Sequence, residues 1–128
     1  MPVQIKQPQF GVVHRRITFS DAGLSAGVLI GRVPIGSTIY SCRTIVRTAF
    51  DAGTTNYWRV GFGGGGFEYS GIDINIGVAG TIDHVNALEL GTLGSPRDVT
   101  ARYVGSGTAP TKGGLYFTME YGFGGFVG

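Results

Sequence analysis

The sequence predicts an all-β single domain of seven to eight short strands, arranged as an antiparallel sandwich or barrel, with little or no helix. Three observations support this fold class. Apolar and polar residues alternate with a period of two in the clearest segments, as in half-buried strands. Glycine accounts for 24 of the 128 residues, and a glycine inside a helix costs about 1 kcal/mol relative to alanine. Turn-forming residues recur roughly every ten positions, which is typical of sandwiches and barrels.

The first half of the chain contains four segments that favour strands, residues 12–19, 27–33, 38–50 and 57–62. Residues 34–37, Pro-Ile-Gly-Ser, form a turn signal after the second segment. The third segment is rich in β-branched residues, which fit a pleated surface better than a helix. Its alternation places Tyr40, Cys42 and Val46 on one face, which we expect to be buried, and Arg43 and Arg47 on the other.

The second half contains four more candidate strands, residues 72–78, 81–88, 98–104 and 115–123. The last one alternates most strictly, with apolar side chains on one face at Leu115, Phe117, Met119, Tyr121 and Phe123. Residues 81–90 are the window most compatible with a helical turn, because alanine, leucine and glutamate at positions 87–89 favour helix. A strand with a bend is nevertheless the prediction for 81–88.

The two ends of the chain differ in character from the middle. We expect an extended N-terminal arm over residues 1–10, a β-sandwich over residues 11–122 and an apolar, glycine-rich tail over residues 123–128. Chain termini usually fray unless they are tied down. Because an apolar tail is poorly solvated, we expect it to dock on its own domain or on a neighbouring subunit.

Composition argues against several classes of protein. A hydrophobic fraction of 42% and an aromatic fraction of 12% are too high for an intrinsically disordered chain. Runs without a charged residue are too short for a membrane-spanning helix, which needs about 20 apolar residues, and the N-terminus has no apolar stretch typical of a secretory signal. A net charge of +2, from dispersed residues, does not indicate a nucleic-acid surface. We therefore expect neither a membrane nor a nucleic-acid partner.

One glycine-rich stretch has the spacing of a dinucleotide-binding fingerprint, with Gly61, Gly63 and Gly66. That fingerprint functions only where a helix begins, because the helix N-terminus holds the pyrophosphate. No helical pattern follows the stretch, so the prediction is a loop or a wide bulge and no cofactor.

Residues that could bind a metal or act as a nucleophile are few. Nitrogen and sulfur ligands are limited to His14, Cys42 and His84, without the usual zinc spacing. Oxygen donors near residues 51–56 and 73–75 do not complete a calcium loop. Cys42 could pair with a histidine for catalysis, but a buried free cysteine is more often inert. The prediction is a protein with no metal, no cofactor and no catalytic residues.

Aromatic residues flank the glycine run 63–66, at Tyr57, Trp58, Phe62, Phe67 and Tyr69. Aromatic side chains beside small residues make good contact surfaces for proteins or sugars. The alternative is that about half of them are ordinary core residues of a strand. The sequence leaves both possibilities open.

Three segments, in order between residues 27 and 121, resemble small virion proteins of tailed bacteriophages. The central one is similar to their Thr-Ala-Phe-Asn-Ala-Gly-Thr-Thr signature and reads Thr48-Ala49-Phe50-Asp51-Ala52-Gly53-Thr54-Thr55-Asn56, followed by Val60-Gly61. An upstream segment resembles their Ile-Gly-x-x-Pro-Ala-Gly element and reads Ile30-Gly31-x-x-Pro34-x-Gly36. The closing segment resembles their Gly-x-Gly-Thr-Ala loop and last strand and reads Gly105-Ser106-Gly107-Thr108-Ala109, then residues 115–121.

The resemblance implies a jelly-roll-like β-sandwich that serves as a decoration, or cement, protein on a phage capsid. It implies a virion protein made in the host cytoplasm, bound to the major capsid protein, forming a homo-oligomer (a trimer is favoured) and needing no cofactor. Together with the aromatic and terminal residues, it suggests an interface composed of Val3, Ile5, Phe10, Trp58, Phe62, Phe67, Tyr69, Phe123, Phe126 and Val127. The alternatives are a receptor- or carbohydrate-binding virion module and a tail or head–tail component of the same fold.

Overall fold

The computed structural model describes residues 9–62 and 68–123 of the chain. Those residues form eight strands and one short helix, in the order β1 (Gln9–Thr18), β2 (Val28–Val33), β3 (Thr38–Thr48), β4 (Thr55–Gly61), β5 (Ile74–Asn75), β6 (Gly80–Asp83), α1 (Val85–Leu88), β7 (Arg97–Ser106) and β8 (Gly114–Phe123). The predicted all-β fold is therefore confirmed. The bent strand predicted for residues 81–88 was wrong in its second half, where the local preference for helix produces α1.

The strands form two antiparallel four-stranded sheets, with the orders β1-β8-β3-β6 (sheet A) and β2-β7-β4-β5 (sheet B). Four of the strand pairs are β1 with β8, β2 with β7, β3 with β6 and β4 with β5. This is the pairing of one long hairpin rolled up on itself, and the β3–β8 and β4–β7 contacts then complete each sheet. An eight-stranded double sheet of this kind is a jelly roll.

The core lies between the two sheets and is built from the inward face of each strand. Its largest fully buried side chains include Trp58, Tyr69, Phe50 and Phe117. The strict alternation predicted for β8 places Leu115, Phe117 and Met119 in this core, each at most 1% exposed. Cys42 is buried as predicted, and burial raises the pKa of its thiol to about 12.

One residue of β3 departs from the predicted alternation. Tyr40 was expected on the buried face with Cys42 and Val46, but 54% of it is exposed, whereas Ile39 is buried. The pairing of β3 with β8 shifts between Ile39 and Ser41, which indicates a β-bulge. A bulge inserts one extra residue and reverses the faces on its two sides, so the Tyr40 side chain points outward.

Both terminal strands extend beyond the predicted domain limits. β1 begins at Gln9, so Gln9 and Phe10 belong to a sheet rather than to the predicted arm, and β8 ends at Phe123. The rest of the predicted arm, residues 1–8, and the rest of the predicted tail, residues 124–128, lie outside the described residues.

Candidate functional site

The outer face of sheet A has aromatic side chains towards one end and basic side chains at the other. Phe10 and Val12 of β1 and Tyr40 of β3 form what we call the aromatic end. Arg16 of β1 and Arg47 of β3, on either side of Tyr116 in β8, form what we call the basic end. The pairings that bring them together are Phe10 with Gly122, Arg16 with Tyr116, and Tyr116 with Ile45.

The aromatic end is an exposed pair of rings. Phe10 is 71% exposed, and its ring centroid lies 5.8 Å from that of Tyr40. The Tyr40 ring lies over Gly122, where an added Cβ would collide with it. Val12 extends the apolar surface two residues further along β1. Exposed aromatic rings are enriched at protein interfaces, so this end is suited to contact with another protein.

The basic end surrounds an open cleft of about 400 Å³, lined by Arg16, Arg47, Thr48, Gly114, Leu115 and Tyr116. The register of β3 with β8 shifts between Val46 and Thr48, leaving Arg47 without a direct partner in the register. The Tyr116 hydroxyl lies 2.8 Å from Nδ1 of His14, within hydrogen-bond distance. The cleft is therefore open to solvent, lined by both polar and apolar groups, and has an arginine on each side of Tyr116.

A second apolar region surrounds α1, where Ile72, Val85 and Leu88 are exposed. His84 lies beneath it, with its Nε2 atom 2.7 Å from the Thr44 hydroxyl oxygen and its ring stacked near Phe117. Burial lowers the pKa of this imidazole to about 4, against the smaller opposite effect of the neighbouring Asp83 carboxylate. His84 is therefore a neutral core residue at neutral pH.

Two of the segments with the predicted resemblance to phage virion proteins meet at one end of the sandwich, in a structure we call the clasp (residues 51–56 with residues 105–112). The amide of Gly53 donates to the Thr108 carbonyl at 2.8 Å, and the amide of Thr54 donates to the Ser106 carbonyl at 2.9 Å. The Asp51 carboxylate accepts from the amide and hydroxyl of Thr111, each at 2.7 Å, and from the amide of Lys112 at 3.0 Å. These hydrogen bonds lower the pKa of Asp51.

The clasp is completed by Asn56, whose side chain closes the turn after Asp51. Its Oδ1 accepts from the Ala52 amide at 2.9 Å and from the Tyr103 hydroxyl, and its Nδ2 donates to the Ala52 carbonyl. The polar residues of the signature are thus used to join two loops of the same chain.

The predicted interface residues that the structure describes are divided between the core and the surface. Trp58 and Tyr69 are fully buried, which corrects their placement on a contact surface: both are core residues, and the Tyr69 hydroxyl donates to the Asp98 carbonyl. Phe62 is half-buried, edge-on to Tyr69 at 5.0 Å, with the Arg97 guanidinium 4.6 Å from its ring centroid. Phe10 is exposed, and its role in an interface stays a prediction.

The remaining predicted interface residues, five whole residues and one side chain, belong to parts of the chain that the structure does not describe. Val3, Ile5, Phe67, Phe126 and Val127 lie outside the described residues, as does the side chain of Phe123. Tyr40, Arg16 and Arg47 were not predicted as an interface. A period-two pattern assigns Tyr40 to the wrong face because of the bulge. Arg16 and Arg47 are distant in the sequence and come together only because β1 and β3 both pair with β8.

The other candidate chemistries find no support in the described residues. Within residues 9–62 and 68–123, no group of three or more His, Cys, Asp or Glu side chains could hold a metal ion. A cysteine whose thiol has a pKa near 12 is not a thiolate at neutral pH. Glu68 to Ser70 form a turn, not the helix that a pyrophosphate site needs. No helix in the described part of the chain is long and apolar enough to cross a membrane.

Comparison with known proteins identifies the fold. No protein-family model and no curated protein sequence matches the chain. A chain in the structure of the cyanophage Pam1 capsid asymmetric unit superposes with a TM-score of 0.69 at 13% identity, covering 97% of this chain and 91% of that one. A chain of the Ralstonia phage GP4 capsid gives a TM-score of 0.62 at 13% identity, with coverages of 97% and 89%.

A third structure gives the same result. A chain of the acidic stable capsid of the Helicobacter pylori bacteriophage KHP30 superposes with a TM-score of 0.59 at 13% identity, covering 94% of this chain and 95% of that one. At this level of identity the likeness is one of fold. The chain therefore has a jelly-roll fold similar to that of chains in three phage capsid structures.

Proposed function

We propose that this protein is a structural component of a phage virion that binds the outside of the capsid and stabilises it by bridging neighbouring major capsid subunits. One observation supports this above the others: the similarity to chains of three phage capsid structures extends over nearly the whole of each molecule. The role we propose is structural and not catalytic.

The stabilisation follows from mass action. A protein that binds the assembled capsid and not its separated subunits shifts the equilibrium towards the assembled form. The aromatic end supports this role, because the Phe10 and Tyr40 rings are exposed. We propose that residues 1–8, with Val3 and Ile5, continue this contact from the start of β1, and that Phe123, Phe126 and Val127 close a homotrimer.

Two alternative functions are a receptor- or carbohydrate-binding module and a tail or head–tail component. A carbohydrate- or receptor-binding surface around the glycine run loses two of its aromatic residues, since Trp58 and Tyr69 are fully buried. A tail or head–tail component would have the same fold, but it would form a single ring on each particle. A decoration protein occupies many equivalent positions over the capsid.

The decisive experiment uses particles that lack this protein, produced by a phage whose gene for it has been deleted. Purified protein is added back, and the particles are imaged by electron cryomicroscopy and heated until they release DNA. We expect density at many symmetry-related positions on the outer surface and a higher release temperature. Density confined to one vertex would contradict the proposal in favour of a connector, and binding on a glycan array would favour a receptor-binding module.

The proposed role of the N-terminus is tested with a protein that lacks residues 1–8 and retains all of β1. We expect this variant to remain folded and oligomeric but to lose binding to the particles. Full occupancy of the capsid by the shortened protein would rule out the arm as a contact.

A further inference from the structure

The two arginines of the basic end have no partner in the part of the chain that the structure describes. Each of the other six arginines contacts a carbonyl, a carboxylate or a ring: Arg15 with Leu29, Arg32 with Asp98, Arg43 with Asp83, Arg59 with Asp73, Arg97 with Phe62, and Arg102 with Ser25. Arg16 and Arg47 make no such contact with any described residue. Two guanidinium groups therefore face a single cleft with their donors unused.

Carboxylates of this chain are not positioned to fill that cleft. Six of the eight acidic residues are engaged elsewhere in the described structure: three accept backbone amides and three pair with arginines. They are Asp21, Asp51, Glu68, Asp73, Asp83 and Asp98. Glu120 is on the outer face of β8 but lies opposite Val12, four residues along the strand from Tyr116. Glu89 follows the end of α1.

The floor of the cleft is open. Gly114 pairs with Thr18 on one side and Thr48 on the other. A Cβ added at Gly114 would meet only the Ile17 carbonyl, at 4.0 Å. The space above this residue is therefore free for a ligand between the two arginines.

We propose that the Arg16–Arg47 cleft binds a carboxylate-bearing segment of a protein partner, and, on the basis of the function proposed above, that this partner is a capsid subunit. The planar guanidinium donates two parallel hydrogen bonds to a carboxylate. Two such groups on either side of an open strand position can hold one or two acidic side chains. The aromatic end, at the opposite end of the same face, is placed to contact another part of the same partner.

A protein carboxylate fits this face better than the phosphates of a nucleic acid. Nucleic-acid surfaces present an extended basic stripe, whereas the unpaired positive charge on the described part of this face is confined to one compact cleft. On the same outer face, Arg43 is already paired with Asp83, and Glu120 would repel a phosphate backbone continuing along β8.

The test compares three variants of the full chain. The double variant Arg16→Gln/Arg47→Gln removes both charges, and Gly114→Leu blocks the floor while both charges remain. Arg32→Gln is the matched control, because Arg32 is also an exposed arginine but lies on sheet B, paired with Asp98. Circular dichroism and thermal unfolding establish that each variant is folded.

Binding to particles that lack the protein is measured by co-sedimentation over a range of NaCl concentrations. We expect the double variant and Gly114→Leu to bind at least about tenfold more weakly than the wild type, and Arg32→Gln to stay within about twofold. Wild-type binding should weaken as NaCl rises, because the ion pairs are screened. If the folded double variant and Arg32→Gln bind the particles equally well, the cleft is not the contact, although the proposed function stands.

If the wild type does not bind the particles, the proposed function is refuted. A second measurement therefore tests carboxylate binding by the cleft without using particles. A short polyglutamate peptide is titrated against the protein, and the arginine Nε–H signals are followed by NMR, with inorganic phosphate and a short DNA duplex as comparison ligands. We expect saturable shifts at Arg16 and Arg47 with polyglutamate. Equal shifts at all arginines, or tighter binding of phosphate or DNA, would overturn the proposal.

Discussion

The clasp and the outer face of sheet A use polar and aromatic residues in opposite ways. In the clasp, the Asp51 carboxylate holds three donors and Asn56 bonds both to its own turn and to Tyr103. On the outer face, Arg16 and Arg47 are without partners among the described residues, and the Phe10 ring is 71% exposed. The residues most recognisable in the sequence thus hold the fold together, whereas the surface available to a partner has no sequence signature.

The largest expected effect comes from removing the centre of the clasp. Asn56→Ala deletes three hydrogen bonds and leaves the Ala52 amide and carbonyl without their partner, so we expect the free energy of unfolding to fall by about 3 kcal/mol. Urea denaturation measures this loss. The control is Asn86→Ala in α1, an exposed asparagine whose side chain makes no hydrogen bond with the described residues. Equal stability of the two variants would show that the clasp is dispensable.

The backbone of the clasp is tested by the pair Gly107→Ala and Gly36→Ala. Both glycines have a positive φ, +84° and +82°, where an alanine is strained by about 1 kcal/mol. A Cβ at Gly107 would also lie 2.6 Å from the Thr54 hydroxyl oxygen and 2.8 Å from its amide nitrogen, whereas a Cβ at Gly36 meets nothing within 4 Å. We expect a loss of about 2 kcal/mol for Gly107→Ala and about 1 kcal/mol for Gly36→Ala. Equal losses by chemical denaturation would mean that the loops separate readily.

The sequence predicts the inward-facing residues better than it predicts the surface. Alternation along β8 identifies Leu115, Phe117 and Met119 as core, because burial of one sheet face imposes a period of two. The same reasoning misplaces Tyr40, since a bulge depends on how β3 pairs with β8. It leaves Trp58 undecided, because an aromatic residue next to a glycine-rich loop is equally compatible with core and surface.

The candidate site is harder to predict because its residues are distant in the sequence. Arg16, Arg47 and Tyr116 belong to three strands that become neighbours only through the rolled-up pairing of the sheet. A period-two pattern gives the face on which a residue lies, but it does not give the order of the strands. The clasp, in contrast, joins the two glycine-containing turns on which the predicted resemblance to phage virion proteins depends.

A smaller effect is expected from the titration of Asp51. Hydrogen bonds hold the pKa of its carboxyl below the ordinary value in the folded protein, so its contribution to stability is present above the unfolded pKa of about 3.9 and is lost as the pH falls through the folded pKa. Asp51→Ala should therefore be less stable than the wild type at pH 7, with the difference shrinking as the pH falls below about 4. Urea denaturation across this range measures the difference.

The stability of Asp51→Ala is compared with that of the wild type at each pH, because His84 also titrates in the acid range and is present in both proteins. The folded pKa of His84, about 4, lies below the ordinary value, so the unfolded chain takes up a proton first, and stability falls as the pH drops from about 6.5 to about 4. This loss is common to wild type and Asp51→Ala and cancels in their difference. A difference that stayed constant down to the lowest pH would show that the Asp51 contribution is not electrostatic.

The outer face should show the smallest effect on stability. Arg16→Gln/Arg47→Gln replaces two guanidinium groups that have no partner among the described residues, and Phe10→Ser removes one exposed ring, so each variant should unfold within about 0.5 kcal/mol of the wild type. If these side chains serve a partner, the same variants should lose binding to particles while Asn56→Ala, at a temperature where it is folded, retains it. Urea denaturation and co-sedimentation on the same samples separate the two effects. A loss of stability in the outer-face variants comparable to that of Asn56→Ala would mean that this face, like the clasp, belongs to the fold.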